Sequence, residues 1–136
     1  MHIATARAWT PLAVSREVIT AAMKVHSALG PGLLESAYEA CLAYELATAG
    51  LKAETQVALP VVYDKVRLEI GYRIDLLVQD LVIVELKSVE TVAPICHAQI
   101  LSYLKLSGKS LGLLINFNVP HLKEGIKRFV VGKGWK

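Results

Sequence analysis

Two aliphatic stretches in the middle of the chain carry charge where a strand can least accommodate it. Tyr72-Arg73-Ile74-Asp75-Leu76-Leu77-Val78 and Leu81-Val82-Ile83-Val84-Glu85-Leu86-Lys87 flank the polar pair Gln79-Asp80. Runs of Val, Ile and Leu bounded by such a pair read as two strands of a hairpin. Aliphatic strands bury at least one face, and burying charge without partners is costly. Alternation along the second strand puts Glu85 and Lys87 on one face. Two acids that converge repel each other unless a cation sits between them. Their oxygen atoms suit a hard divalent ion such as Mg²⁺, and the lysine suits a phosphate or an activated water.

A geometric condition comes with this reading. A two-residue turn at Gln79-Asp80 pairs Asp75 with Val84 and leaves Glu85 on the opposite face. Asp75, Glu85 and Lys87 share one site only if the connection is offset by one residue, through a three-residue loop or a β-bulge. On residue types alone, a structural salt-bridge cluster or a solvated face stays open as the alternative.

The rest of the chain supplies a setting for the pair. Residues 11–29 read as a helix, with Val18, Ile19, Ala22, Met23, His26 and Leu29 on one face, until Gly30-Pro31-Gly32 breaks it. A second helix is expected from Leu33 to about Ala49, stopping at Gly50, with Leu34, Tyr38, Cys41, Leu42 and Leu46 on its apolar side. Strands are expected over Thr55–Tyr63, Val66–Val78 and Leu81–Lys87, joined by turns at Asp64-Lys65 and Gln79-Asp80 into an antiparallel meander. Pro94 can open a third helix that Gly108 closes, and Leu111–Phe117 is a short apolar strand of the sheet interior. Residues 126–131 fit either a last helix turn or an edge strand. The expected order is therefore α-α-β-β-β-α-β.

Composition sets outer bounds. The 136 residues make one domain, 1–136, large enough for a hydrophobic core. No run of about 18 apolar residues occurs, which argues against a membrane span, and Arg7 followed by Ala8-Trp9-Thr10-Pro11 is not the apolar stretch of a signal peptide. Cys41 and Cys96 match no zinc or redox spacing, so buried free thiols in a reducing cytoplasm are expected. A net charge of +3 permits nucleic-acid binding without arguing for it. Lys123, Lys127, Arg128, Lys133 and Lys136 gather at the C-terminal end, as a solvated tail or a phosphate-contacting patch.

Asp75 followed by Glu85-x-Lys87, on two hairpin-connected strands after a helix, resembles the PD-(D/E)XK nuclease superfamily. The resemblance spans the chain from about Ile19 to about Phe129. A more specific likeness is Gly32-Leu33-Leu34-Glu35-Ser36-Ala37-Tyr38, which reads as the GxxExxY signature of a small prokaryotic family within that superfamily. Val25-His26-Ser27-Ala28-Leu29-Gly30-Pro31-Gly32 and Gly112-Leu113-Leu114-Ile115-Asn116-Phe117 are similar to it as well. One departure is Ile74 where the pattern usually has a proline before the first acid.

The resemblance implies an α/β (α+β) fold with a restriction-endonuclease-like core: N-terminal helices, a three-stranded antiparallel meander, a helix and a further strand. It implies Mg²⁺, with Mn²⁺ as a substitute, held by Asp75, Glu85 and the Leu86 backbone carbonyl. Lys87 would orient the attacking water or stabilise charge on the phosphate. Glu35, one turn from Tyr38, would add a ligand from the second helix. Its plainer role would be complementing the helix dipole. Gln99 and Tyr103 are four apart on the third helix and resemble a Q-x-x-x-Y motif that positions substrate; a polar residue beside a core tyrosine is the plain reading. Tyr38 joins them as a substrate contact through the signature. Glu45 points into an apolar face, where a paired structural carboxylate is expected. His26 reads as a hydrogen-bonded core histidine and His97 as an exposed first-turn residue.

The function implied is Mg²⁺-dependent hydrolysis of phosphodiester bonds, in DNA rather than RNA. The alternatives are a catalytically silent module that binds nucleic acid or a protein partner, and a small-molecule enzyme or structural protein on the same fold. A homodimer, doubling the basic surface, is a further expectation.

Overall fold

The computed structural model describes residues 8–136. Arg7 and the rest of the first seven residues lie outside the described residues, and with them part of the reading against a signal peptide. Helix α1, Pro11–Leu29, starts with Thr10 accepting a hydrogen bond from Ala13 N–H through its side chain, and with proline at the first turn, where a missing N–H costs nothing. It ends at Gly30, whose φ of 69° is a conformation glycine adopts without strain. Helix α2, Glu35–Thr48, begins two residues later than expected because Leu33 and Leu34 stay outside it, with Leu34 extended at the N-cap.

Strand β1, Ala53–Ala58, is followed by a short hairpin of β2, Val61–Tyr63, and β3, Val66–Leu68. Then come β4, Arg73–Val78, β5, Val82–Lys87, helix α3, Ile95–Ser107, and β6, Leu111–Asn116. A 3₁₀ turn, Leu122–Gly125, leads into β7, Ile126–Val130. The sheet runs in the order β1-β4-β5-β6-β7. Strands β5 and β6 are parallel across the α3 crossover, and every other neighbouring pair in that sheet is antiparallel. The result is the expected mixed α/β fold, with helices packed on a five-stranded mixed sheet.

The expected meander exists as β1-β4-β5, with one correction. The long strands expected over 55–63 and 66–78 are each broken, the first at Leu59-Pro60 and the second across Glu69–Tyr72. Pro60 has no N–H to give the ladder, and Gly71 turns the chain at φ 88°. The β2–β3 hairpin therefore leaves the sheet as an arm, closed at its base by Leu59 N–H donating to the Tyr72 carbonyl at 2.8 Å. Residues 126–130 settle as the edge strand, after a helical turn.

Helices α1 and α2 cover one face of the sheet and α3 the other. Val14, Val18, Val25, Tyr38, Leu42 and Leu46 pack over Leu76, Val84, Leu86 and Leu113, while Ile100, Tyr103 and Leu104 pack over Ile83 and Leu114. The buried stripe of α1 runs through Val14, Val18, Ala21, Ala22, Val25 and His26, rotated from the expected one. Met23 and Leu29 face outward, as does Leu34. Glu45 is a paired carboxylate, 3.1 Å from Lys24 Nζ on α1. Cys41 and Cys96 are free but half-buried rather than buried, and they sit against opposite core layers, too far apart in the fold to bond. Among the described residues no helix is long and apolar enough to cross a membrane.

Candidate active site

The site begins where β4 and β5 part. Their ladder pairs Val78 with Val82, Leu77 with Ile83 and Leu76 with Val84. Three residues, not two, therefore make the connection. Gln79 and Asp80 both take φ 54°, giving the tight reversal, and Leu81 N–H closes it on the Val78 carbonyl at 3.0 Å. Leu81 is the extra residue, and it is accommodated because its side chain packs into the α1/α2 core. The one-residue offset that the site required is present, and Asp75 falls opposite Glu85.

Beyond Leu76 and Val84, side chains take over the strand-to-strand hydrogen bonds. Asp75 N–H donates to Glu85 Oε1 at 3.4 Å, and Leu86 N–H donates to Asp75 Oδ2 at 2.9 Å. Each acid is thus held by the backbone of the opposing strand. Glu85 is only 6% exposed. Burial, then the negative charge of Asp75, pushes its carboxyl up from 4.5 to about 9, and Lys87 offsets part of this. Two carboxylates in so dry a place cannot both ionise comfortably unless a cation joins them.

On the other side, a cleft of about 120 Å³ is lined by Glu35, Ser36, Glu39, Gln56, Asp75 and Leu86. Glu35 opens α2 and reaches this cleft with an exposed side chain. Gln56 reaches it from β1, donating to Glu39 Oε1 at 2.6 Å and to Asp75 Oδ1 at 3.3 Å. Ser88, directly after Lys87, donates through its hydroxyl to the Leu33 carbonyl and ties the end of β5 to the start of α2.

Helix α3 brings Tyr103 to the same acids. Its hydroxyl pKa is raised by burial and then by the negative charge of Glu85, with Tyr72 and Asp75 adding to it. Gln99 Nε2 donates to the Tyr103 hydroxyl at 3.3 Å, which leaves the phenolic proton free for another acceptor. Tyr72, at the base of the arm, meets the Tyr103 ring edge-on, centroids 6.1 Å apart.

Tyr38 needs correcting. It is fully buried and stacked on Phe117 at 4.3 Å, with its hydroxyl donating to the Gly30 carbonyl at 2.6 Å and accepting from Leu33 N–H. No part of it is left to meet a substrate. Its work is to fold the Gly30–Leu33 turn that delivers Glu35. His26 is the expected core histidine, donating from Nε2 to the Val119 carbonyl at 2.8 Å. His97, half-buried, lies against Phe129 with ring centroids 5.6 Å apart.

Sequence reasoning missed Gln56, Glu39 and Asn116. Glu39 follows Glu35 by four on one helix, a spacing that puts both on the same face. Asn116 is the one polar side chain of an otherwise apolar strand, whereas Gln56 sits beside Glu54 and Thr55 in a mixed strand and carried no such signal. Asn116 pairs with Lys87 in the β5–β6 register and clamps the following loop, exchanging hydrogen bonds with Val89 N–H and C=O at 3.1 and 2.9 Å.

The donor set fits a hard divalent ion: two facing carboxylates, one of them buried and destabilised in its charged form. Among the described residues no three of His, Cys, Asp and Glu gather closely enough to hold a metal by themselves. Backbone carbonyl and water oxygens would have to complete the shell.

A family model described as the PD-(D/E)XK nuclease superfamily matches residues 13–129. The chain belongs to that superfamily. Searches of curated proteins and of solved structures gave no match.

Proposed function

We propose that this member of the PD-(D/E)XK nuclease superfamily is a Mg²⁺-dependent nuclease that hydrolyses phosphodiester bonds, in DNA rather than RNA. The observation that carries the reading is the offset β4–β5 register, with Asp75 facing Glu85 and each bonded to the opposing backbone. Glycine, glutamate and tyrosine at Gly32, Glu35 and Tyr38 support assignment to its GxxExxY branch.

In this reading Asp75, Glu85 and the Leu86 carbonyl would hold the ion, with Glu35 as a further oxygen ligand. Bound there, Mg²⁺ or Mn²⁺ supplies Lewis acidity that lowers the pKa of water and offsets charge on the phosphate. Lys87 orients the attacking water and stabilises the phosphoryl charge, as a compact cation can. Tyr103, held by Gln99, offers its proton to a phosphate oxygen. The water adds to phosphorus, the bond to the departing sugar oxygen breaks, and that oxygen takes up a proton. Free thiols at Cys41 and Cys96 suit a reducing cytoplasm. A homodimer would double the basic surface, and a monomeric mass by sedimentation at micromolar concentration would remove that idea.

The test is nicking of supercoiled plasmid and cleavage of single-stranded DNA and RNA with Mg²⁺ or Mn²⁺. Wild type should cut, and Asp75→Ala and Lys87→Ala should not. Cutting that survives both substitutions would sink the proposal. Binding without cutting under either metal would make the domain a nucleic-acid-holding module instead.

A further inference from the structure

The β1 strand contains one residue whose backbone contradicts the strand around it. Gln56 has φ 52°, a left-handed conformation that a glutamine adopts only against steric resistance. The β1–β4 ladder pairs Thr55 with Leu76 and Val57 with Ile74, so the residue facing Gln56 is Asp75. Strain of this kind persists where the surrounding structure over-determines it, and here it lies directly across from the first acid of the site.

The left-handed residue has a visible consequence for the sheet. Ala53 packs with the α1/α2 core, whereas Val57, four residues on and on the same face by alternation, packs with the α3 core. On β4, Leu76 belongs to the first core and Ile74, two residues away, to the second. Both strands change faces at the Gln56–Asp75 pair, although their register is unbroken. Asp75 thereby lines the cleft under α2 while still meeting Glu85 and Leu86 on β5.

The side chain completes the arrangement. Asp75 Oδ2 is taken by Leu86 N–H, and Oδ1 accepts from Gln56 Nε2. The same amide nitrogen also donates to Glu39 Oε1, while the backbone carbonyl of Gln56 accepts from Arg73 Nη1 at 3.3 Å. A neutral amide can bridge two carboxylates without neutralising either. A lysine in its place would supply the positive charge that a cation otherwise brings.

We infer that Gln56 is a positioning residue for Asp75: its strained backbone turns the acid into the cleft, and its amide, braced by Glu39, fixes the carboxylate for metal binding. The inference rests on the reading of Asp75 as a metal ligand, but it has a consequence that needs no metal. Gln56 and Asp75 must be energetically coupled in the metal-free protein.

The experiment uses the full chain with Gln56→Gly, Gln56→Asn, Asp75→Ala and the Gln56→Gly/Asp75→Ala double variant. Glycine accepts the left-handed backbone and deletes the amide; asparagine tolerates that backbone and keeps a shorter amide. In metal-free thermal melts, Gln56→Gly should raise the melting temperature more in the Asp75→Ala background than in wild type, by about 2–4 °C. With Mn²⁺ titrated against melting temperature, Gln56→Gly should shift the midpoint upward at least about tenfold, and Gln56→Asn should recover part of it. Additive melting shifts, or a Gln56→Gly midpoint equal to wild type, would overturn the inference while leaving the metal site standing. If wild type shows no Mn²⁺ response, the nuclease reading fails, and the metal-free coupling still decides whether Gln56 holds Asp75.

Discussion

Asp75 and Glu85 face each other across β4 and β5, and the amide of Asp75 donates to the carboxylate of Glu85 at 3.4 Å. This cross-strand bond replaces the backbone ladder that ends one residue earlier, at Leu76 and Val84. The acids are therefore part of the sheet's own hydrogen bonding. Their removal acts on stability as well as on chemistry.

The first prediction concerns pH. Glu85 titrates at about 9 when folded, against 4.5 for its ordinary value. Between those values the folded chain binds more protons than the unfolded one, so the stability this carboxyl contributes is full below 4.5 and is lost as pH rises through about 9. Metal-free wild type should melt at progressively lower temperature from pH 5 to pH 9, with a slope of up to about 1.4 kcal/mol per pH unit. Glu85→Gln should flatten that slope and melt above wild type at pH 8. It should also lose any rise in melting temperature on adding Mn²⁺. A wild-type profile as flat as that of Glu85→Gln would contradict the burial argument.

Tyr103→Phe removes a hydroxyl that feels the charge of both acids and accepts a hydrogen bond from Gln99. Losing one such hydrogen bond to a charged phosphate corresponds to about 1.5–3 kcal/mol, or roughly a ten- to hundredfold fall in kcat/KM. Gln99→Ala should fall less, because the hydroxyl itself remains. Steady-state kinetics on a labelled oligonucleotide decides the order.

Tyr38→Phe should behave oppositely. Its hydroxyl bonds the Gly30 carbonyl and Leu33 N–H inside the core, so the loss appears as about 1–3 kcal/mol of stability. KM for nucleic acid should stay within twofold of wild type at a temperature where the variant is folded. A large KM effect without a stability loss would return Tyr38 to the substrate.

Gly125 is packed against the Asn116 carbonyl so closely that an added Cβ would overlap it. Gly125→Ala must push apart β6 and the 3₁₀ turn, at a cost of about 1–3 kcal/mol in chemical denaturation. Because Asn116 clamps the loop after Lys87, cleavage by the folded variant should fall as well. Unchanged stability would show that the turn relaxes freely.

Much of this is legible in the sequence. Helix α1 was readable from end to end because Pro11 and Gly30 punctuate it and its apolar spacing is regular. Strands β5 and β6 announced themselves as aliphatic runs because both faces are buried. The β2–β3 arm was not legible, since Val61–Tyr63 and Val66–Leu68 have the composition of sheet strands yet pair only with each other. The orientation of α1 was missed by part of a turn, because several small and aliphatic residues offered two adjacent stripes and the partner surface chose between them.

The site divides the same way. Asp75, Glu85 and Lys87 stood out in the sequence because charge in an aliphatic strand demands a reason, and Glu35 and Tyr103 followed from helical spacing and resemblance. The convergence of Asp75 and Glu85 was a condition the sequence could state but not decide. It turned on whether Leu81 would pair or bulge, and the α1/α2 core decided that by burying its side chain. Gln56 belongs wholly to the tertiary structure. Nothing local marks a glutamine for a left-handed backbone; only the demand that β4 face two cores at once, with Asp75 between them, puts it there. Sequence determined which residues carry the charge, because composition and periodicity are local. The fold decided which of them meet, because register and face depend on what packs against each strand from outside it.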